Sequence, residues 1–281
     1  MPPRYVSSLQ TSVVVFLANE KRTGVGSNGD VLFLQTRMLR EQLSSSFRFV
    51  FANGPFFCDA GPGVLPVYGG ADPFRRWLRW SPKHRILKPR FHIEALRRCL
   101  EDAMLEDNQA GATGPWVGFL GFSQGARLGA SLLYESQRRQ AVRSLGGSIH
   151  GYEGDDVETT LWSQDWRFGV FFSGPAPLVA LSPGLEDLPL QSPTELDVAH
   201  LELDKFDPTG KVLIERPTLH VIGVQDEWAP RQWRLYEKYC SEDTKSILEW
   251  EGDHRIPIQP QEINQIAERM LEMASKTADL K

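Results

Sequence analysis

A single serine, Ser123, lies between two glycines in the segment GFSQG (121–125) of this 281-residue chain. An apolar run, Trp116–Gly121, precedes it and a helical pattern follows, which is the setting of the G-x-S-x-G turn that presents a nucleophilic serine at a strand end. A tight turn without chemistry uses the same small residues, so the pentapeptide alone is weak evidence. The strand before it and the helix after it favour a catalytic serine, with the helix N-terminus and the Gln124 amide available to stabilise an anion.

A serine hydroxyl becomes a good nucleophile only when a base accepts its proton and a carboxylate orients that base. In this kind of α/β architecture the acid and then the histidine follow the serine along the chain. Of the six histidines, His200, His220 and His254 follow Ser123 by enough chain to add further strands. His220 lies inside an apolar run, which favours a packed imidazole, and His200 lies in a long loop without a preceding strand. His254 follows the strand-like segment SILEW and is the predicted base.

The predicted acid is Asp226, which comes directly after the apolar run TLHVIG and precedes His254 by 28 residues. Glu227 is its neighbour and the reserve candidate. Asp253 is adjacent to His254, and since neighbouring side chains tend to point apart, we interpret it as structural. The serine, the acid and the histidine together form a more specific pattern than any of them alone.

The elements that must position these residues are six short apolar runs that alternate with helical patterns. Most runs are apolar throughout, as expected for strands of a parallel sheet that is covered on both faces. The alternation predicts an α/β fold, a mainly parallel sheet flanked by helices, in one domain over residues 1–281. The runs are Val13–Ala18, Phe49–Ala52, Trp116–Gly121, Phe168–Ser173, Thr218–Gly223 and Ser246–Trp250.

Two segments before Ser123 are predicted as single amphipathic helices. Their apolar stripes are Leu32, Leu39 and Leu43 in residues 30–43, and Ile93, Leu96, Leu100 and Leu105 in residues 91–105.

Two stretches, 58–80 and 175–215, fit neither pattern. Long loops in compact domains are commonly functional lids, and we interpret 175–215 as a lid-like insertion. Aromatic residues cluster where they would overhang the serine, and an apolar cleft is the usual ligand site. Trp77, Phe172 and Trp228 are the predicted pocket residues, although Phe172 also belongs to a buried run.

The composition of the chain bears on its binding partners and on its location in the cell. The chain is 41% hydrophobic and 24% charged with a formal net charge of −5, which argues against binding to a nucleic acid backbone. The run 13–18 is too short to cross a membrane, and three cysteines without paired spacing favour a reducing compartment, so we expect a cytoplasmic protein. The acidic run EGDDVE (153–158) lacks clustered histidine or cysteine, so no metal site is predicted there.

Five segments spread over nearly the whole chain resemble the fungal serine hydrolase (FSH) family of α/β-hydrolases, above all its members from polyketide gene clusters of the lovastatin and citrinin type. The resemblance implies an α/β-hydrolase fold and a catalytic triad of Ser123, Asp226 and His254. It also implies thioester or ester substrates, including polyketide chains bound to a carrier protein, and no cofactor. The segments are AGPGVLPVYGGADPFRRWLRW, GFSQGARLGASLL, RFGVFFSGPAPL, LHVIGVQDEW and LEWEGDHRIPI.

One departure from the family concerns the oxyanion hole. Family members usually carry a His-Gly pair after the first strand, whereas this chain continues with Asn19-Glu20-Lys21. Because the hole needs a backbone N–H rather than a particular side chain, we expect Asn19 or Glu20 to supply one donor and Gln124 the other. Two alternatives stay open: cleavage of a carbon–carbon bond or an acetyl ester by the same triad, and a binding protein whose oxyanion loop has decayed. The sequence does not define the oligomeric state.

Overall fold

The computed structural model describes residues 12–18, 28–59, 73–111, 114–147, 149, 160–183, 185, 187–197 and 201–278. The strands are β1 (Ser12–Ala18), β2 (Phe47–Asn53), β3 (Phe56–Phe57), β4 (Arg75–Arg76), β5 (Trp116–Phe122), β6 (Phe168–Phe172), β7 (Thr218–Gly223) and β8 (Lys245–Trp250). The helices are α1 (Gly29–Gln35), α2 (Arg37–Leu43), α3 (Pro89–Gln109), α4 (Gln124–Ser144), α5 (Thr160–Ser163), α6 (Ala229–Tyr239) and α7 (Pro260–Ala278), with a 3-10 turn at Leu203–Phe206.

Six of the strands form one parallel sheet in the order β2-β1-β5-β6-β7-β8. They coincide with the six apolar runs, so the predicted mainly parallel sheet flanked by helices is confirmed. Every residue of β5, β6 and β7 is buried, which explains why these runs are apolar throughout. All six strands end at the same edge of the sheet, and the segments that carry the predicted catalytic residues start there.

Alternate residues of β1 pack into two different cores, one on each face of the sheet. Val13, Val15 and Leu17 join a cluster with side chains from α3, α4 and α6. Val14 and Phe16 join a second cluster with side chains from α1, α2 and α7. The sheet is therefore the middle layer of three, and helices on both sides remove it from water.

The two predicted helical stripes are partly wrong in detail. Residues 29–43 form two helices rather than one, because Thr36 (φ −96°, ψ 11°) leaves helical geometry and its hydroxyl donates to the Leu32 carbonyl at 2.7 Å. Leu32, Leu39 and Leu43 are nevertheless all buried. In α3 the stripe continues through Met104, which is fully buried, and not through Leu105, which is 54% exposed.

Described residues of the stretch 175–215 are attached to α4 and α6 through a buried charged cluster. Arg127 of α4 and Arg231 of α6 contact the same carboxylate oxygen of Asp197 at 3.2 and 2.9 Å. Arg231 also donates to the Ala176 carbonyl at 2.9 and 2.6 Å, and Arg127 donates to the Pro177 carbonyl and to the Gln191 side chain. These contacts fix both ends of the segment 176–197 to the helices. Whether this stretch acts as a lid stays a prediction.

Along the described ranges, no helix combines the length and the apolar composition that a membrane crossing requires. The three cysteines are free thiols; Cys58 and Cys99 are half-buried and Cys240 is buried.

Candidate active site

Ser123, Asp226 and His254 come together at the carboxyl edge of the sheet. Ser123 follows β5 directly, and Asp226 and His254 lie in the loops after β7 and β8. His254 Nε2 lies 2.9 Å from Ser123 Oγ, and His254 Nδ1 lies 2.7 Å from Asp226 Oδ2. All three residues are at most 5% exposed. The result is a continuous hydrogen-bonded row from hydroxyl to imidazole to carboxylate.

The turn at Ser123 has the geometry that a nucleophile elbow requires. Ser123 has φ 53° and ψ −114°, in the left-handed half of backbone space that costs a non-glycine residue about 1–3 kcal/mol. Its N–H donates to the Phe172 carbonyl at 2.8 Å, and its own carbonyl accepts the Arg127 N–H at 3.0 Å, which starts α4. The two glycines allow close approach: a Cβ at Gly121 would lie 2.4 Å from the Ala126 nitrogen, and one at Gly125 would lie 2.1 Å from the Leu17 oxygen.

Asp226 is held by three hydrogen-bond donors. Its Oδ1 accepts the Trp228 backbone N–H at 2.8 Å, and its Oδ2 accepts the Gln232 side-chain amide at 2.6 Å in addition to His254. Burial raises the pKa of this carboxyl, but the hydrogen bonds and the charge of His254 outweigh burial and leave the pKa below its ordinary value. The side chain is therefore a carboxylate at neutral pH and fixes Nδ1 of His254 as the donor.

The competing residues lie elsewhere. Glu227 is exposed, and Asp253 pairs with Arg255. His220 is buried in the sheet with its ring 5.4 Å from that of Phe171. Burial, with a contribution from Lys245, lowers the pKa of His220 to about 3, so it stays neutral. His200, the other histidine considered as the base, lies outside the described residues.

One oxyanion candidate can be located. Gln124 is the first residue of α4, where backbone N–H groups point out of the helix end toward the serine turn. Asn19 lies outside the described residues. Leu17, near the end of β1, lies directly against Gly125, so the chain leaves β1 beside the first turn of α4. The oxyanion roles of Gln124 and Asn19 stay predictions.

The Gln124 side chain has a function that the sequence did not reveal. Its Oε1 accepts the backbone N–H groups of Trp77 and Leu78, both at 2.9 Å, and its Nε2 donates to the Leu78 carbonyl at 3.3 Å. We call residues 77–78 the strap. On its other side, His92 Nε2 donates to the Trp77 carbonyl at 2.8 Å. The His92 ring is neutral, because burial, only partly offset by this hydrogen bond, lowers its pKa to about 4. The residue after the serine therefore anchors a distant loop beside the site.

The three predicted pocket residues differ in their surroundings. Trp77 and Phe172 are fully buried, one in each core cluster, and the Phe172 ring stacks on Phe16 at 6.1 Å between centroids. Trp228 is half-buried at the start of α6, with its indole 5.7 Å from the Arg231 guanidinium. Contact of these residues with a substrate stays a prediction.

Comparison with known proteins gives the same family that the sequence segments suggested. Residues 22–266 match the family "Serine hydrolase (FSH1)". The chain is 58% identical over 258 residues to "Probable esterase TOX9" of Cochliobolus heterostrophus (strain C4 / ATCC 48331 / race T), with 92% of each chain covered. It is 42% identical over 254 residues to "Esterase citA" of Monascus ruber, with 90% of each covered.

The family match extends over five of the six strands of the parallel sheet, all but β1, and over the segments that hold Ser123, Asp226 and His254. The relatives are named esterases, which favours an enzyme over a binding protein without activity. The chain belongs to the FSH1 family and is a serine hydrolase with the α/β-hydrolase fold.

Proposed function

We propose that this protein hydrolyses an ester or thioester of a hydrophobic, polyketide-type acyl group through a covalent acyl-Ser123 intermediate. The observation that carries the proposal is the row Ser123 Oγ–His254–Asp226, with distances of 2.9 and 2.7 Å. Relatives named esterases support ester cleavage. The resemblance to the polyketide-cluster members supports the acyl class and the thioester.

In the first half-reaction, Ser123 Oγ attacks the acyl carbonyl carbon while His254 Nε2 accepts the hydroxyl proton. The Asp226 carboxylate stabilises the imidazolium that forms and keeps Nδ1 protonated. The backbone N–H of Gln124 and one from the loop after β1 stabilise the negative oxygen of the tetrahedral intermediate. The intermediate collapses when His254 returns the proton to the departing alcohol or thiol, which leaves the acyl group on Ser123.

In the second half-reaction a water molecule replaces the leaving group. His254 accepts a proton from this water as its oxygen attacks the acyl-Ser123 carbonyl, and the same proton then returns to Ser123 Oγ as the acid departs. The buried row supplies a base, an orienting carboxylate and a strained serine, so each step has a group in position.

The test is labelling with a fluorophosphonate probe followed by intact-mass measurement. We expect one adduct on the wild-type chain and none on Ser123→Ala. The matched control is Ser131→Ala, which removes a different buried hydroxyl of the same helix and should leave labelling intact. Absence of an adduct on the wild type, or an equal adduct on Ser123→Ala, contradicts the proposal. Rates with an acyl thioester and the matching oxygen ester then distinguish the two leaving groups.

A further inference from the structure

Several buried nitrogen atoms without hydrogen-bond partners belong to Arg76, the last residue of β4, and to the loop that follows it. Arg76 is only 5% exposed, and its Nε and Nη1 have no hydrogen-bond partner among the residues that the structure describes. Within the same part of the chain, the indole Nε1 of Trp80 and the Nδ1 of His84 are also buried and unpartnered. The Trp80 and His84 rings meet edge to face at 4.7 Å. Folded proteins rarely leave such groups unsatisfied, because each loses its hydrogen bonds to water without replacement.

β4 and the loop after it also carry three arginines, Arg75, Arg76 and Arg79. Among the described residues, no carboxylate forms an ion pair with Arg75, Arg76 or Arg79. Arg75 and Arg76 stack instead over the rings of Phe57 and Phe56, at 3.8 and 4.7 Å from the ring centroids. A buried guanidinium without a counter-charge is expensive, and an anion supplied from outside would offset that cost.

His84 reports the same local potential. Burial, followed by the charges of Arg76 and Arg79, lowers the pKa of His84 to about 4, and the charge of Asp59 offsets this only in part. The imidazole is therefore neutral at physiological pH and has one N–H to donate. Arg76 is near enough to His84 for its charge to act on that imidazole, and Trp80 contacts His84 edge to face, so the three groups belong to one neighbourhood. Guanidinium, indole and imidazole N–H groups all donate to carboxylate and phosphate oxygens.

We propose that Arg76, Trp80 and His84 form a binding site for an oxyanion, either a carboxylate or a phosphate, carried by a ligand. The site adjoins the strap, because Arg76 directly precedes Trp77, which Gln124 holds next to Ser123. A carboxylate on the acyl group and a phosphate on the thiol leaving group are the two sources of such an anion. The site itself does not depend on the reaction at Ser123.

The test measures binding by calorimetry on the full chain carrying Ser123→Ala, so that no ester is turned over. The probes are adipate, inorganic phosphate and dimethyl adipate, which has the carbon skeleton of adipate without its charges. We expect at least one anion to bind, and Arg76→Gln to weaken its binding at least tenfold. Arg75→Gln removes an equal charge from the neighbouring position, where the guanidinium covers Phe57, and should change the affinity less than twofold.

Preference for adipate assigns the site to an acyl carboxylate, and preference for phosphate assigns it to the leaving group; either result supports the site. Arg76→Lys, which keeps the charge with fewer donors, should bind more weakly than wild type but more tightly than Arg76→Gln. If Arg76→Gln does not fold, the Lys variant and the thermal stabilisation of the wild type by each probe replace it. Binding of neither anion, or equal binding to Arg76→Gln, overturns the proposal, as does equal stabilisation by dimethyl adipate.

Discussion

Among Ser123, His254 and Asp226, the structure determines the ionisation of Asp226 most directly. If Asp226 is replaced by asparagine, the side chain keeps its size but loses the charge that stabilises the His254 imidazolium. We expect kcat to fall by about 10⁴-fold at neutral pH, as in related triads. Glu227→Gln is the matched control, since Glu227 is the adjacent exposed carboxylate. If Glu227→Gln lowered kcat as much as Asp226→Asn does, the assignment of Asp226 as the acid would be contradicted.

The stability difference between the wild type and Asp226→Asn should depend on pH. Because the folded pKa of Asp226 lies below its ordinary value of 3.8, the unfolded chain binds the proton more tightly. The carboxylate therefore stabilises the fold above about pH 4, and this contribution is lost as the pH falls through the folded pKa. Urea unfolding should show a difference between wild type and Asp226→Asn that is constant at neutral pH and shrinks in acid. A difference that grows in acid would contradict this.

At the scale of elements, the contact between β1 and α4 depends on a missing side chain. We expect Gly125→Ala to destabilise the fold by about 1–3 kcal/mol or more, because its Cβ would lie 2.1 Å from the Leu17 carbonyl oxygen. Gly129→Ala in the same helix is the control. Its Cβ would meet side-chain atoms of Leu17, Phe171 and Phe119 at 3.3, 3.4 and 3.5 Å, with no backbone atom among these nearest contacts. Alanine also improves helix propensity by about 1 kcal/mol. Urea unfolding and the rate of fluorophosphonate labelling measure both; equal behaviour of the two variants would contradict the expectation.

The strands and the proximity of Ser123, His254 and Asp226 were predictable from the sequence because their signals are local. A strand buried on both faces leaves an unbroken apolar run, and the chain order of serine, acid and histidine follows from strands that end at one edge. The break at Thr36 and the exposure of Leu105 were not predictable, because both depend on which neighbours the helices meet. The contact between Gln124 and the strap was not predictable either. Gln124 binds backbone atoms 46 and 47 residues away, and every residue type has these atoms, so no sequence pattern identifies the partner.

At the scale of the whole molecule, Asp197 joins the segment 176–197 to two helices. We expect Asp197→Asn to lower the free energy of unfolding by about 3–5 kcal/mol, because two buried guanidinium groups would lose their shared carboxylate. Glu195→Gln alters an exposed carboxylate two residues earlier and should stay within about 0.5 kcal/mol of wild type. Equal midpoints of urea unfolding for the two variants would show that the segment is held by its apolar contacts alone.

The attachment of residues 77–78 to Gln124 gives the molecule a mechanical link between two chain regions. The amide that secures this loop belongs to the residue whose own peptide nitrogen faces the reacting oxygen in the proposed reaction. A shift of either region must be transmitted through the three hydrogen bonds of one side chain or must break them. The coupling must be reciprocal: a ligand that stabilises one position of residues 77–78 also stabilises one conformation of the turn at Ser123, and a ligand that stabilises this turn also stabilises that position of residues 77–78.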